Sequence, residues 1–100
     1  MKIVNFETDV DMNMSSYKGL IKTTYDKLVE VFGKPTYTDA DPWGKVNAEW
    51  SVEVETDKGD FVKFSIYNWK TGYVPTEEYE WHIGGYSFDA VDAAYEIING

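Results

Sequence analysis

Residues 46–54 carry the pattern that most limits what this chain can fold into. Val46, Ala48, Trp50, Val52 and Val54 alternate with Asn47, Glu49, Ser51, Glu53 and Glu55. A period of two puts every apolar side chain on one face of a strand and every polar one on the other. After Asp57-Lys58-Gly59 the alternation resumes at Val62, Phe64 and Ile66. A three-residue loop whose Gly takes the left-handed region makes a type I turn followed by a G1 bulge. That loop sets the register. Thr56 faces Asp60, Val54 faces Val62, Val52 faces Phe64 and Trp50 faces Ile66. On the other face Glu53 meets Lys63, Ser51 meets Ser65, Glu49 meets Tyr67 and Asn47 meets Trp69. A slip of one residue would turn the whole apolar set toward water.

The flanking segments supply the partners such a hairpin needs. Lys2 to Glu7 reads as an edge strand, 8–16 as a loop, and Tyr17 to Lys22 as a strand weakened by Gly19, with a helix over 17–32 as the competing reading. Thr23 as N-cap places Asp26 at N3. Tyr25, Leu28, Val29 and Phe32 then fall on one face of a helix over about 24–32, closed by Gly33 and Pro35. Residues 35–44 and 70–78 read as loops. Tyr79, Trp81 and Ile83 alternate with Glu80 and His82, which predicts a strand over 79–83 ended by Gly84-Gly85. Ser87 then caps a helix whose face is Phe88, Val91, Tyr95 and Ile98. The core expected from these periods is Leu28, Val29, Phe32, Val52, Val54, Phe64, Ile66, Trp81, Ile83, Val91 and Tyr95. At 100 residues the chain has room for one domain, 1–100. The expected fold class is α+β, an antiparallel sheet of four to five strands with two helices packed on one face.

Charge and composition remove several functions. Eighteen Asp and Glu against nine Lys, with no Arg, leave a net charge of −9. Arg is the usual bidentate clamp for phosphate and guanine edges, and a negative field repels both, so no direct nucleic-acid partner and no anionic membrane is expected. A basic protein partner is allowed, as is plain solubility. The absence of Cys removes disulfides, thiolate nucleophiles and cysteine metal sites, and one His removes any two-histidine motif. No cofactor is expected. No run of about 20 apolar residues occurs, as a membrane span needs, and the opening Met1–Glu7 turns acidic too early for a signal peptide. The expected location is the cytoplasm.

The polar face of the sheet holds the candidate chemistry. It collects Glu49, Ser51, Glu53, Ser65, Tyr67, Trp69, Glu80 and His82. Large aromatics on such a face mark a binding surface, unless loop 70–78 covers Tyr67 and Trp69. His82 is either a general base beside Glu80 or a structural histidine, and no nucleophile elbow accompanies it. Asp9–Asp11 and Asp39–Asp41 pair carboxylates on loops, as a divalent cation site or as solvated charge, and neither continues into a calcium loop. Gly84 and Gly85 precede a helix, so their N–H groups either receive an anion or make an ordinary turn. Lys45 and Lys70 flank the open end of the hairpin.

Thr23-Thr24-Tyr25-Asp26, Leu28, Phe32-Gly33-Lys34-Pro35, Lys45-Val46, Glu49-Trp50, Ile66-Tyr67-Asn68-Trp69-Lys70 and Trp81-His82-Ile83-Gly84-Gly85 occur in this order. Over about residues 15–90 the string resembles a family of small phage- and prophage-encoded proteins. The resemblance implies a setting in an infected host and two non-enzymatic, counter-defence roles. One is sequestration of a small nucleotide-like ligand by Tyr67, Trp69, Lys70, Trp81, His82, Gly84, Gly85 and Lys45. The other is an acidic, DNA-mimic-like inhibitor of a basic host protein. A homo-oligomer is compatible with either role.

Overall fold

The computed structural model describes residues 1–6, 10–37 and 46–100. Its elements run β1 (Lys2–Phe6), β2 (Ser16–Thr23), α1 (Tyr25–Phe32), β3 (Thr36–Tyr37), β4 (Ala48–Glu55), β5 (Phe61–Tyr67), β6 (Tyr79–Gly85) and α2 (Asp89–Asn99). One antiparallel sheet has the strand order β1-β4-β5-β6-β2, with the two-residue β3 also paired to β4. The fold is the expected α+β architecture. Phe32 of α1 meets Phe64 edge-on at 6.1 Å, and α2 seats its alanines on the same sheet face.

The central hairpin has the predicted register from Glu49↔Tyr67 to Val54↔Val62. Gly59 sits at φ 85°, its N–H donates to Thr56 O at 2.9 Å, and Thr56 N–H donates to Asp60 O at 2.8 Å. The inward faces of β4, β5 and β6 bury Trp50, Val52, Val54, Phe64, Ile66, Trp81 and Ile83. Glu53 and Lys63 lie opposite each other, but Glu53 accepts from Asn5 Nδ2 at 2.6 Å and Lys63 Nζ reaches Asp11 O at 3.4 Å.

The expected pairing of Asn47 with Trp69 does not form, because β5 stops at Tyr67. Asn68 leaves the ladder and is fully buried. Its Oδ1 accepts from the N–H groups of Asn47 and Ala48, each at 2.9 Å. Its Nδ2 donates to Asn47 Oδ1 at 3.0 Å and to Thr71 Oγ1 at 2.7 Å. One side chain thus supplies the bonds that a further strand residue would have supplied from its backbone. The chain then turns at Lys70, which has φ 57°.

At α1 the cap is Thr24 rather than Thr23. Thr24 Oγ1 accepts from Lys27 N–H at 3.1 Å, while Thr23 is the last residue of β2. Pairing of Ser16–Thr23 with β6 excludes the longer helix over 17–32. Leu28 and Phe32 are buried, with Tyr25 and Val29 partly so, and Gly33 closes the helix at φ 84°.

Helix α2 is rotated from the expected face. It buries Ala90, Ala93, Ala94 and Ile98, whereas Val91 is half-buried, Phe88 is 75% exposed and Tyr95 is 43% exposed. The cause is how closely the helix sits on the sheet. A Cβ at Gly85 would lie 2.4 Å from Ala90 Cβ, so the contact admits only small side chains. Tyr95 lies at the helix flank, donating from its hydroxyl to Leu20 O at 2.8 Å. Ser87 is not the cap. Phe88 holds that position without a side-chain bond, and the Ser87 hydroxyl bonds the Asp89 carboxylate instead.

Candidate functional site

The sheet face turned away from the helices holds a cavity of ≈ 560 Å³. The register builds its floor. Glu49, Tyr67 and His82 form one row across β4, β5 and β6; Ser51, Ser65, Gly84 and Tyr17 form the next, reaching β2. Four rings converge there. Tyr17 and Tyr67 stand 5.3 and 5.5 Å from His82, and Trp69 stands 6.2 Å from both Tyr67 and His82, centroid to centroid. The backbone at Trp69 is tied to β6, since its amide N–H donates to the Tyr79 hydroxyl at 3.1 Å.

One wall comes from the segment before β2. The Tyr86 hydroxyl bonds Asp11 O at 3.1 Å and Asn13 O at 2.6 Å, Lys63 reaches Asp11 O, and Met14 turns the chain at φ 67°. These ties bring Ser15 and Ser16 to the cavity beside Tyr17. Val46 and Glu49 line the opposite side. No residue of 70–78 lines it, so that loop is not its cover.

The expected site residues separate. Tyr67, Trp69, His82 and Gly84 line the cavity. Trp81 does not. It is one residue from His82 in β6 and so points the other way, fully buried and edge-on to Trp50 at 5.5 Å. Lys70 is exposed outside the lining, with Nζ 5.9 Å from the Trp69 ring centroid. Lys45 lies outside the described residues. Gly84 and Gly85 do not end β6 at a helix N-terminus. They are paired within it, Gly84 with Ser65 and Tyr17, Gly85 with Phe64 and Ser16, so their backbone polar groups face neighbouring strands and the anion-receiving turn is overturned. A Cβ at Gly84 would lie 2.6 Å from Ser65 Oγ and 3.3 Å from Tyr67 Cε1. Gly84 therefore keeps the floor open, while Gly85 faces the helix.

Burial holds the His82 imidazole below its ordinary pKa of 6.5. The ring is therefore neutral at pH 7, and its Nδ1 is buried without a hydrogen-bond partner among the described residues. Burial, and then the charge of Glu49, pushes the Tyr67 hydroxyl up from its ordinary value. Glu80 is exposed. Asp9 and Asp39–Asp41 lie outside the described residues, and no three His, Asp or Glu among the described residues gather as a metal site. No described helix is long and apolar enough to cross a membrane.

The sequence reading missed Tyr17, Ser15, Ser16 and Val46. Strand alternation could have put Tyr17 on the polar face, but the register shift between Tyr17 and Gly19 hides that parity. No family model matches this chain, and no curated protein and no solved structure matches it.

Proposed function

We propose that the protein is a non-enzymatic binding module that sequesters a small ligand with a planar, nucleobase-like head in the Tyr17–Tyr67–Trp69–His82 cavity. The observation that carries this reading is the convergence of four rings within 5.3–6.2 Å on one concave face. Cavities of this size, with aromatic walls and a few polar groups, suit small molecules. Catalysis is the weaker reading, because among the described residues no group hydrogen-bonds His82 Nδ1 to orient the ring as a general base. In the phage-type setting implied by the motif string, such a module counters host defence by withdrawing a signal molecule in the host cytoplasm. Stacking on an aromatic ring is worth about 1–3 kcal/mol per base. Trp69→Ala should therefore weaken binding roughly ten- to a hundredfold in a calorimetric screen of nucleobases, nucleosides and nucleotides. Wild-type protein that binds none of them at micromolar concentration would end the sequestration reading.

A second reading rests on charge placement. Asp89, Asp92 and Glu96 of α2 line one groove with Asp60 of the hairpin tip, in a chain of net charge −9; the same lining holds Lys58 and an ion pair between Asp57 and the Met1 ammonium at 2.6 Å, so the carboxylates remain in excess. This surface suits capture of a basic host protein. Association driven by it should slow steeply as salt rises from about 0.01 to 0.15 M, over which the screening length falls to about 8 Å. An association rate indifferent to salt removes this reading.

A further inference from the structure

We infer that Asn68 is a positioning residue of the cavity: its buried amide fixes the segment that carries Trp69 and ties it to the wall made by Val46 and Glu49. The inference rests on the reading of the cavity as a ligand site for its functional meaning, though not for its geometry. Sheet pairing stops short of Trp69. Strand β5 ends at Tyr67, so Trp69 lies two residues past the ladder, yet its ring stands 6.2 Å from the rings of both Tyr67 and His82. Just beyond it the chain passes through two left-handed residues, Lys70 at φ 57° and Gly72 at φ 76°. The left-handed region costs a non-glycine residue free energy, so the turn at Lys70 persists only where surrounding bonds over-determine it.

Asn68 supplies those bonds from one fully buried side chain. Toward β4 its Oδ1 holds the N–H groups of Asn47 and Ala48, the two residues between Val46 and Glu49, and both of those line the cavity. Toward the loop its Nδ2 donates to Thr71 Oγ1 at 2.7 Å and to Tyr73 O at 3.3 Å. The Thr71 hydroxyl in turn donates to Tyr73 O at 2.6 Å, which closes the turn around Lys70 and Gly72. The network therefore grips the chain on both sides of Trp69, at 68 and at 71–73, and anchors it to β4. Buried and bonded on both sides, such an amide specifies one arrangement, because each bond is strong where water is excluded and costly to leave unmade. An Asp in its place would still accept from β4 but could not donate to the loop. With the Trp69 wall fixed in advance, a ligand that touches the ring is spared the cost of ordering a loop.

The test reads ring contacts by NMR in the free protein, as cross-relaxation from the Trp69 ring to the rings of Tyr67 and His82. Asn68→Asp should lose these contacts while the amide of Ala48 stays protected from exchange. Thr71 is half-buried in the loop, so Thr71→Val keeps its shape and removes only the hydroxyl, and it serves where Asn68→Asp fails to fold. Thr71→Val should weaken the same contacts, and Thr71→Ser, which keeps the hydroxyl, should restore them. Ring contacts unchanged in every variant that folds would overturn the inference. Adenosine is the ligand probe, titrated by calorimetry, and variants that lose the ring contacts should bind it about tenfold more weakly. Equal affinity after the contacts are lost would overturn the role of Asn68 in binding. Wild-type protein that binds no adenosine would count against the nucleobase-like reading alone, because the ring contacts are measured without ligand.

Discussion

Phe64→Ala should be among the most damaging single changes in this protein, lowering stability by about 3–5 kcal/mol. Phe64 is fully buried on β5, the middle strand of the sheet, and packs edge-on against Phe32 of α1 at 6.1 Å. Its cross-strand neighbours are Val52 and Gly85. The glycine has no side chain to swing into the void, so the cavity left by the ring stays open. Native domains have only about 5–15 kcal/mol in hand. Thermal unfolding should therefore fall by roughly 15–30 °C. A melting temperature within a few degrees of wild type would mean that the sheet faces are reversed.

Gly85→Ala should cost about 3 kcal/mol, at the upper end for overpacking. The added methyl would sit 2.4 Å from Ala90 Cβ, and both are carried on backbone that cannot swing aside. Either α2 lifts from the sheet or β6 buckles. Urea denaturation should show the loss as a lower midpoint. The informative control is Gly84→Ala, one residue away on the opposite face. Its methyl would press on Ser65 Oγ and on the edge of the Tyr67 ring, groups on the open cavity side. That variant should lose ligand binding more than stability. Equal destabilisation by both would mean that the two glycines do not divide between helix seat and cavity floor.

These two glycines also mark the boundary of what could be read from the residues. The hairpin was legible because alternation, turn chemistry and register agree there, and a slip would expose five apolar side chains. Helix α1 was legible because its stripe ends in a glycine and a proline. Tyr67 and His82 were recognisable as one surface because parity fixes which side chains share a sheet face, whereas Trp69 reaches them from beyond the end of β5, where parity no longer holds. What failed depended on proximity between distant segments. Read alone, Gly84-Gly85 looks like a turn; it is strand because α2 and Tyr67 occupy the space a side chain would need. The helix face built on Phe88 and Tyr95 looked apolar enough for a core, but a close seat on the sheet selects alanine over bulk. Trp81 was counted both as core and as ligand contact, and strand parity allows only the first. Asn68 was invisible because a buried amide that completes another strand's ladder leaves no periodic trace. The wall from Asp11 to Ser16 depends on Tyr86 and Lys63, more than 50 positions downstream.

The chain order of the sheet has a kinetic consequence. The β4–β5 hairpin closes locally, whereas β2 must pair with β6, about 60 residues away in sequence. Long loops of this kind close late, because their entropy is lost before their contacts form. The hairpin can form first, and β2 joins later along the free edge of β6. Tyr17 rides on that late strand, while Tyr67 and His82 belong to the strands it completes. The cavity is therefore among the last features to appear during folding. A bound molecule touching Tyr17 and His82 together would clamp β2 to β6, and the amides of that outer strand would exchange with solvent more slowly when the cavity is filled.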